Sequence, residues 1–113
     1  MKAKIKVIRQ KWTGWTPQQP EPQENIMEVG TGDSLILTLE ELGNPSLVVK
    51  DIGAEAVTVI SSNLAPKQDT GTINLNKDYS NLETVLKIDE TVELGTQTMD
   101  AGVKYILTLI EIV

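Results

Sequence analysis

The sequence contains no cysteine, no histidine and no phenylalanine. Without cysteine, disulfides and thiol chemistry are excluded, which suits either a reducing cytosol or a cell surface whose proteins lack disulfides. Without histidine, the usual general base, zinc ligand and pH switch are absent. No serine has an activating base at a recognisable spacing. We therefore predict that the protein is not an enzyme and uses no cofactor.

Long apolar runs are also absent, so the sequence predicts no membrane insertion. The N-terminus alternates lysine with apolar residues and lacks the apolar core of a signal peptide. If Met1 is the native start, a cytoplasmic location is expected; a module excised from a longer secreted chain would belong at the cell surface. The length of 113 residues predicts one domain, spanning residues 1–113.

Charge is distributed unevenly along the chain. Half of the ten cations lie within the first eleven residues, whereas the rest of the chain has five cations against sixteen acids. An acidic body of this kind repels phosphates, so no nucleic acid partner is predicted. The N-terminal lysines mostly alternate with apolar residues, which is typical of a strand with one solvated face.

Strand-forming residues dominate the composition. Valine, isoleucine and threonine together make up 33 of the 113 residues, and these β-branched residues favour strands. Apolar residues alternate in several segments separated by turn residues. These apolar positions are Ala3, Ile5, Val7, Leu35, Leu37, Leu39, Val57, Val59, Ile73, Leu75, Leu86, Ile88, Val92, Leu94, Tyr105, Leu107 and Leu109. The pattern predicts an all-β fold, an antiparallel β-sandwich of about 7–9 strands, with a small β-barrel as the alternative.

Two strands allow more specific predictions. The last strand, from Tyr105 to Val113, is apolar on both faces, which is typical of a central strand. In the first strand, Val7 and Ile8 are adjacent apolar residues. A bulge at that point would turn Ile8 and Trp12 toward the core and keep Arg9 in solvent.

The segment from Leu86 to Leu109, LKIDETVELGTQTMDAGVKYILTL, resembles the end of small bacterial immunoglobulin-like sandwich modules. Those modules share an E-T-V-x-L strand and a D-A-G-x-x-Y entry into an apolar strand. The resemblance implies an immunoglobulin-like sandwich that serves adhesion, spacing or assembly, and it transfers no catalytic residue. The spacing differs from the tyrosine corner of immunoglobulin domains proper, because Tyr105 is five residues after Asp100.

The stretch WTGWTPQQPEPQ, residues 12–23, holds both tryptophans and three of the five prolines. A turn at Gly14 would bring the indoles of Trp12 and Trp15 together, where they could stack on a sugar or grip a peptide. The alternative is that Trp12 closes one end of the core and Trp15 packs on proline rings. Trp12, Trp15 and Tyr79 are the candidate ligand-binding residues.

Two weaker motifs suggest other chemistry. Asn74, Asn76 and Asp78 offer oxygens at alternate positions, which makes them weak calcium candidates, although the glycine and glutamate of an EF-hand loop are missing. Asp69 opens an Asp-Thr-Gly triplet like that of dimeric aspartic peptidases, in which two carboxylates share a proton. The residues before Asp69 lack the apolar strand that supports such a triplet, so a turn is the favoured interpretation.

The leading functional hypothesis is a non-enzymatic β-sandwich module that acts in protein-protein interaction, assembly or cell-surface structure. The alternatives are a carbohydrate- or peptide-binding module that uses Trp12 and Trp15, and, more remotely, a dimeric aspartic peptidase centred on Asp69. A protein or carbohydrate partner is therefore expected, and a homo-oligomer is left open.

Overall fold

The computed structural model describes residues 1–13, 20–36, 44–66, 80–97 and 101–113. These residues form strands and turns without a helix, which confirms the predicted all-β fold. Seven strands have six residues or more, and an eighth has two. The strands are β1 (Ala3–Thr13), β2 (Gln23–Val29), β3 (Ser46–Ile52), β4 (Ala56–Ser62), β5 (Ala65–Pro66), β6 (Leu82–Lys87), β7 (Thr91–Gln97) and β8 (Ala101–Ile112).

The strands form two antiparallel sheets packed face to face, as the predicted sandwich requires. The larger sheet has five strands in the order β2-β1-β8-β7-β5, and the smaller has three in the order β3-β4-β6. The first and last long strands are neighbours, since β1 pairs with β8 along its whole length. Whether this sandwich is of the immunoglobulin-like kind remains a prediction.

The core lies between the two sheets and consists almost entirely of aliphatic side chains. Alternate residues of each strand point inward, because successive side chains of a strand leave it on opposite faces. The buried apolar residues are Ala3, Ile5, Val7, Val29, Leu35, Leu47, Val49, Ile52, Val57, Val59, Leu64, Leu86, Leu94, Val103, Tyr105, Leu107 and Leu109. Burial of this one layer supplies most of the driving force for folding.

Strand β8 occupies the centre of the larger sheet, as its sequence predicts. It pairs with β1 on one side and with β7 on the other. Tyr105, Leu107 and Leu109 are buried on its inner face, whereas Ile106 and Ile110 are half-buried. The apolar residues on the second face therefore cover the outside of the sheet.

The predicted bulge at Val7 and Ile8 is wrong. The register shift between β1 and β8 lies at Lys4 and Ile5, and the pairing then continues without a break to Thr13. Unbroken pairing keeps the alternation of side chains, so Trp12 shares the outer face with Lys4 and Lys6. The prediction failed because it assumed that Arg9 could not lie on the inner side of the sheet. In the structure Arg9 is half-buried and donates a hydrogen bond to the Gln23 side chain at 3.3 Å.

The turns follow the predicted chemistry. Between β2 and β3, Gly32 has a φ of 92°, and the Asp33 carboxylate accepts a 2.8 Å hydrogen bond from the Gly30 amide. Between β6 and β7, Asp89 has a φ of 67° and donates its amide to the Leu109 carbonyl at 2.9 Å. The second turn carries the chain from the smaller sheet to the larger one.

The sequence patterns missed β2 and β3. In β2 the apolar residues are not evenly spaced, and five of its seven residues are exposed. In β3 a register shift at Lys50 interrupts the alternation. The expected strand at Ile73 and Leu75 lies outside the described residues, and the one at Leu35 is described only as far as Ile36, where Leu35 bonds to Leu47 beside β3.

Candidate functional site

Strand β2 is one edge of the larger sheet among the strands that the structure describes. It pairs with β1 from Ala3↔Val29 to Arg9↔Gln23, and no strand in the described ranges pairs with its other side. We call that other side the open edge. A strand edge of this kind carries backbone donors and acceptors that another strand can use.

The backbone groups on the open edge can be assigned from the pairing at the N-terminus. Lys2 and Val113 exchange two hydrogen bonds, of 3.0 and 2.7 Å, so the amide and carbonyl of Lys2 point toward the C-terminal strand. Backbone groups of an antiparallel strand alternate in direction, so those of Ala3 and Ile5 point toward β2. The Leu109 carbonyl, opposite Ile5, accordingly points away from β1 and accepts from Asp89.

The same alternation identifies the residues that face the open edge. Val29, Met27 and Asn25 lie opposite Ala3, Ile5 and Val7, so their backbone groups bond to β1. The remaining residues point the other way. Both the amide and the carbonyl of Glu24, Ile26 and Glu28 therefore lie on the open edge.

Side chains of these three residues lie on the outer face of the sheet, away from the core. Ile26 is 64% exposed, although isoleucine is among the residues most often buried. It lies between Glu24 and Glu28, which are exposed as well. The edge thus combines free backbone groups, one exposed apolar side chain and two carboxylates.

Ion pairs cross the outer face next to the open edge. The Nζ of Lys6 lies 3.7 Å from Oε1 of Glu24, and the Nζ of Lys4 lies 3.0 Å from Oε1 of Glu111 in β8. The hydrogen bond to Glu111 and its negative charge raise the pKa of Lys4, with a smaller contribution from the charge of Glu28. The ion pair of Lys4 is therefore formed with Glu111 of β8, across β1 from Glu28.

Trp12 is the one candidate ligand-binding residue that the structure describes. Its indole lies over Gly102, its cross-strand partner, so closely that a Cβ at Gly102 would be 2.6 Å from Cε2 and 2.8 Å from Cζ2. The residue is half-buried. Trp12 therefore neither enters the core nor stands free, but covers a glycine on the outside of the sheet.

The other predicted site residues lie outside the described residues. These are Trp15, Tyr79, the calcium candidates Asn74, Asn76 and Asp78, and the peptidase candidate Asp69. Their proposed roles stay predictions. Within the described ranges, no group of three or more histidine, cysteine, aspartate or glutamate residues could hold a metal ion.

A shallow depression lies at the end of the smaller sheet. It has a volume of about 400 Å³ and is lined by Glu55, Ala56, Lys87 and Ile88. Glu55 supplies one carboxylate and Lys87 one ammonium group, whereas most glycosidases use a pair of carboxylates. The part of the chain that the structure describes includes no helix long and apolar enough to cross a membrane.

Comparison with known proteins gives no match: no family model, no curated protein and no solved structure is significantly similar to this chain. No family or relative therefore points to an enzymatic activity.

The open edge was missed from the sequence because β2 itself was missed. The signal that could have found it is the pair Ile26-Met27 followed by Val29 in a segment flanked by Pro22 and Gly30.

Proposed function

We propose that this protein is a non-enzymatic β-sandwich module that acts in protein-protein interaction or assembly by pairing the open edge of β2 with a strand of a partner. The observation that carries the proposal is the row Glu24, Ile26 and Glu28, whose backbone groups face solvent around a 64% exposed isoleucine. Strand addition obtains affinity from main-chain hydrogen bonds and specificity from alternate side chains.

Three features support this proposal. The edge has no proline between Gln23 and Val29, and its pairing with β1 has no bulge, so two usual means of blocking an edge are absent there. Its apolar residue is exposed at the centre of the strand. The resemblance to immunoglobulin-like modules, which serve adhesion, spacing or assembly, agrees with such a role.

A photo-crosslinking amino acid placed at Ile26 tests the proposal in the cells that naturally express the protein. Val85, which is 52% exposed on the smaller sheet, is the matched control position. We expect a discrete adduct from position 26 alone, and Glu28→Pro should remove it because proline lacks the outward amide. Glu28→Thr, which keeps that amide, should retain the adduct. Equal adducts from both positions, or an adduct that survives Glu28→Pro, would contradict the proposal.

A second candidate function is carbohydrate or peptide binding on Trp12. It is favoured by the position of the indole, which covers Gly102 with one side and is half-buried on the outer face. Tryptophan is enriched at interfaces, where one end of the ring system is apolar and the other can form a hydrogen bond. In a Trp15→Phe background, binding of a glycan or peptide from a library should shift Trp12 fluorescence. Unchanged emission across the library would remove this candidate.

A further inference from the structure

The open edge of β2 is acidic. The segment from Pro20 to Ile36 contains Glu21, Glu24, Glu28 and Asp33 but neither lysine nor arginine. On the outer face, Lys4 is hydrogen-bonded to Glu111 at 3.0 Å, on the side of β1 away from β2. A strand that joins the open edge therefore meets the carboxylates of Glu24 and Glu28 on either side of an apolar side chain, and Glu24 already lies 3.7 Å from Lys6 of β1.

Strand β2 of a second copy does not complement this edge. If two β2 strands paired antiparallel about Ile26, Glu24 of one would lie opposite Glu28 of the other, and like charges directly opposite are destabilising. A shift of two residues places Ile26 opposite a glutamate. Parallel pairing in register would place each glutamate beside its own copy.

The spacing of the edge residues defines a complementary strand. Outward-facing residues of β2 alternate, so the partner's side chains on the same face must alternate as well. Glu24 and Glu28 are four residues apart, and a strand advances about 3.3 Å per residue, so the two carboxylates are roughly 13 Å apart along the edge. The partner needs one cation near each carboxylate and an apolar residue between them.

Building on the proposed function, we infer that the partner is an extended segment of another protein with lysine or arginine at two positions four residues apart and a β-branched apolar residue midway. Each cation pairs with Glu24 or Glu28, and the apolar residue packs on Ile26. Strand β1, which pairs with the opposite side of β2, already provides one such cation, because Lys6 lies 3.7 Å from Glu24.

The probe is the peptide Thr-Lys-Thr-Ile-Thr-Lys-Thr, and the matched control replaces both lysines by glutamate. Each peptide is titrated into isotope-labelled protein while the amide resonances are followed by NMR. We expect the lysine peptide to shift the amides of Glu24, Ile26 and Glu28 and to bind roughly tenfold or more tightly than the control, because the control replaces two opposite-charge pairs by two like-charge pairs. Added salt should reduce the difference.

Variants of the protein separate backbone pairing from charge. Ile26→Pro should abolish binding, whereas Ile26→Thr should retain it, since threonine keeps the outward amide and favours strands. The double change Glu24→Gln and Glu28→Gln should remove the preference for the lysine peptide. Thermal unfolding of each variant verifies folding, and the peptide comparison on the unchanged protein needs no variant at all.

Four results would overturn the inference: no shift with the lysine peptide, equal affinity for the two peptides, equal binding to Ile26→Pro, or self-association through β2. These outcomes are distinguishable from failure of the proposed function. A crosslink at Ile26 that depends on the Glu28 amide, together with no preference for the lysine peptide, would retain strand pairing and reject the cationic partner. If neither the crosslink nor the preference for the lysine peptide is found, strand pairing and the cationic partner are both rejected.

Discussion

Strands β8 and β2 belong to the same sheet but differ in almost every property that burial controls. Along β8, Leu107 and Leu109 have no exposed surface, whereas Ile26 at the centre of β2 is 64% exposed. Among the described residues, β8 has a partner strand on each side, whereas β2 has one. The difference teaches that burial is concentrated at the centre of the sheet, while the edge keeps an apolar side chain exposed, on which the proposed strand pairing depends.

The largest expected effect is a difference in the free energy of unfolding between variants of β8, which is packed in the core, and variants of β2, which is exposed. Leu107→Ala should lower the free energy of unfolding by about 2–5 kcal/mol, because it leaves a cavity in the core. Ile26→Thr should change it by roughly 0.5 kcal/mol or less, as is usual for an exposed position. Chemical denaturation of both variants provides the measurement. Similar losses in the two variants would remove the contrast between centre and edge.

A second effect separates neighbouring residues within β2. Asn25→Pro removes an amide that bonds to β1, which should cost about 1–3 kcal/mol. Ile26→Pro removes an amide that faces solvent and should cost clearly less, because proline is tolerated on the open side of an edge strand. Thermal unfolding compares the two. If Ile26→Pro proves the more damaging change, the assignment of the outward residues is wrong.

A smaller effect concerns the outer face at the other end of β1. Gly102→Ala should displace the Trp12 indole, because the new methyl group would occupy the position of the ring. We expect a cost of about 1 kcal/mol, since the ring can swing outward. In a Trp15→Phe background, Trp12 emission should move to longer wavelength. Unchanged emission would show that the indole does not cover Gly102.

The smallest effect is that of the ion pair beside the edge. The hydrogen bond and charge of Glu111 raise the pKa of Lys4 above its ordinary value of 10.5, so the pair stabilises the fold fully below that value. The stabilisation is lost as the pH rises through the raised pKa. The stability difference between the natural protein and Lys4→Met should therefore be constant from neutral pH up to 10.5 and shrink above it. Urea titrations across that range provide the measurement, and a difference that grows above 10.5 would contradict the assignment of the pair.

Alternation predicted the core of this fold but not its edge. Apolar residues occupy every second position of the central strands, as at Ala3 and Ile5 in β1 and at Leu107 in β8. They do so because one face of each of these strands is buried, and burial selects apolar residues. No such selection acts on β2, where most positions are solvated, so its pattern is irregular. The predicted bulge also turned Trp12 toward the core. Nothing in the sequence indicated that its indole would instead pack over Gly102 on the outer face of the sheet.

Hydrogen exchange of the amides along β2 tests the central claim most directly. If the open edge is free, exchange should alternate, with slow exchange at Asn25 and Met27, which bond to β1, and fast exchange at Glu24, Ile26 and Glu28. Addition of the lysine peptide should slow the three fast amides. Slow exchange at Ile26 in the protein alone, comparable to that of Met27, would contradict the account.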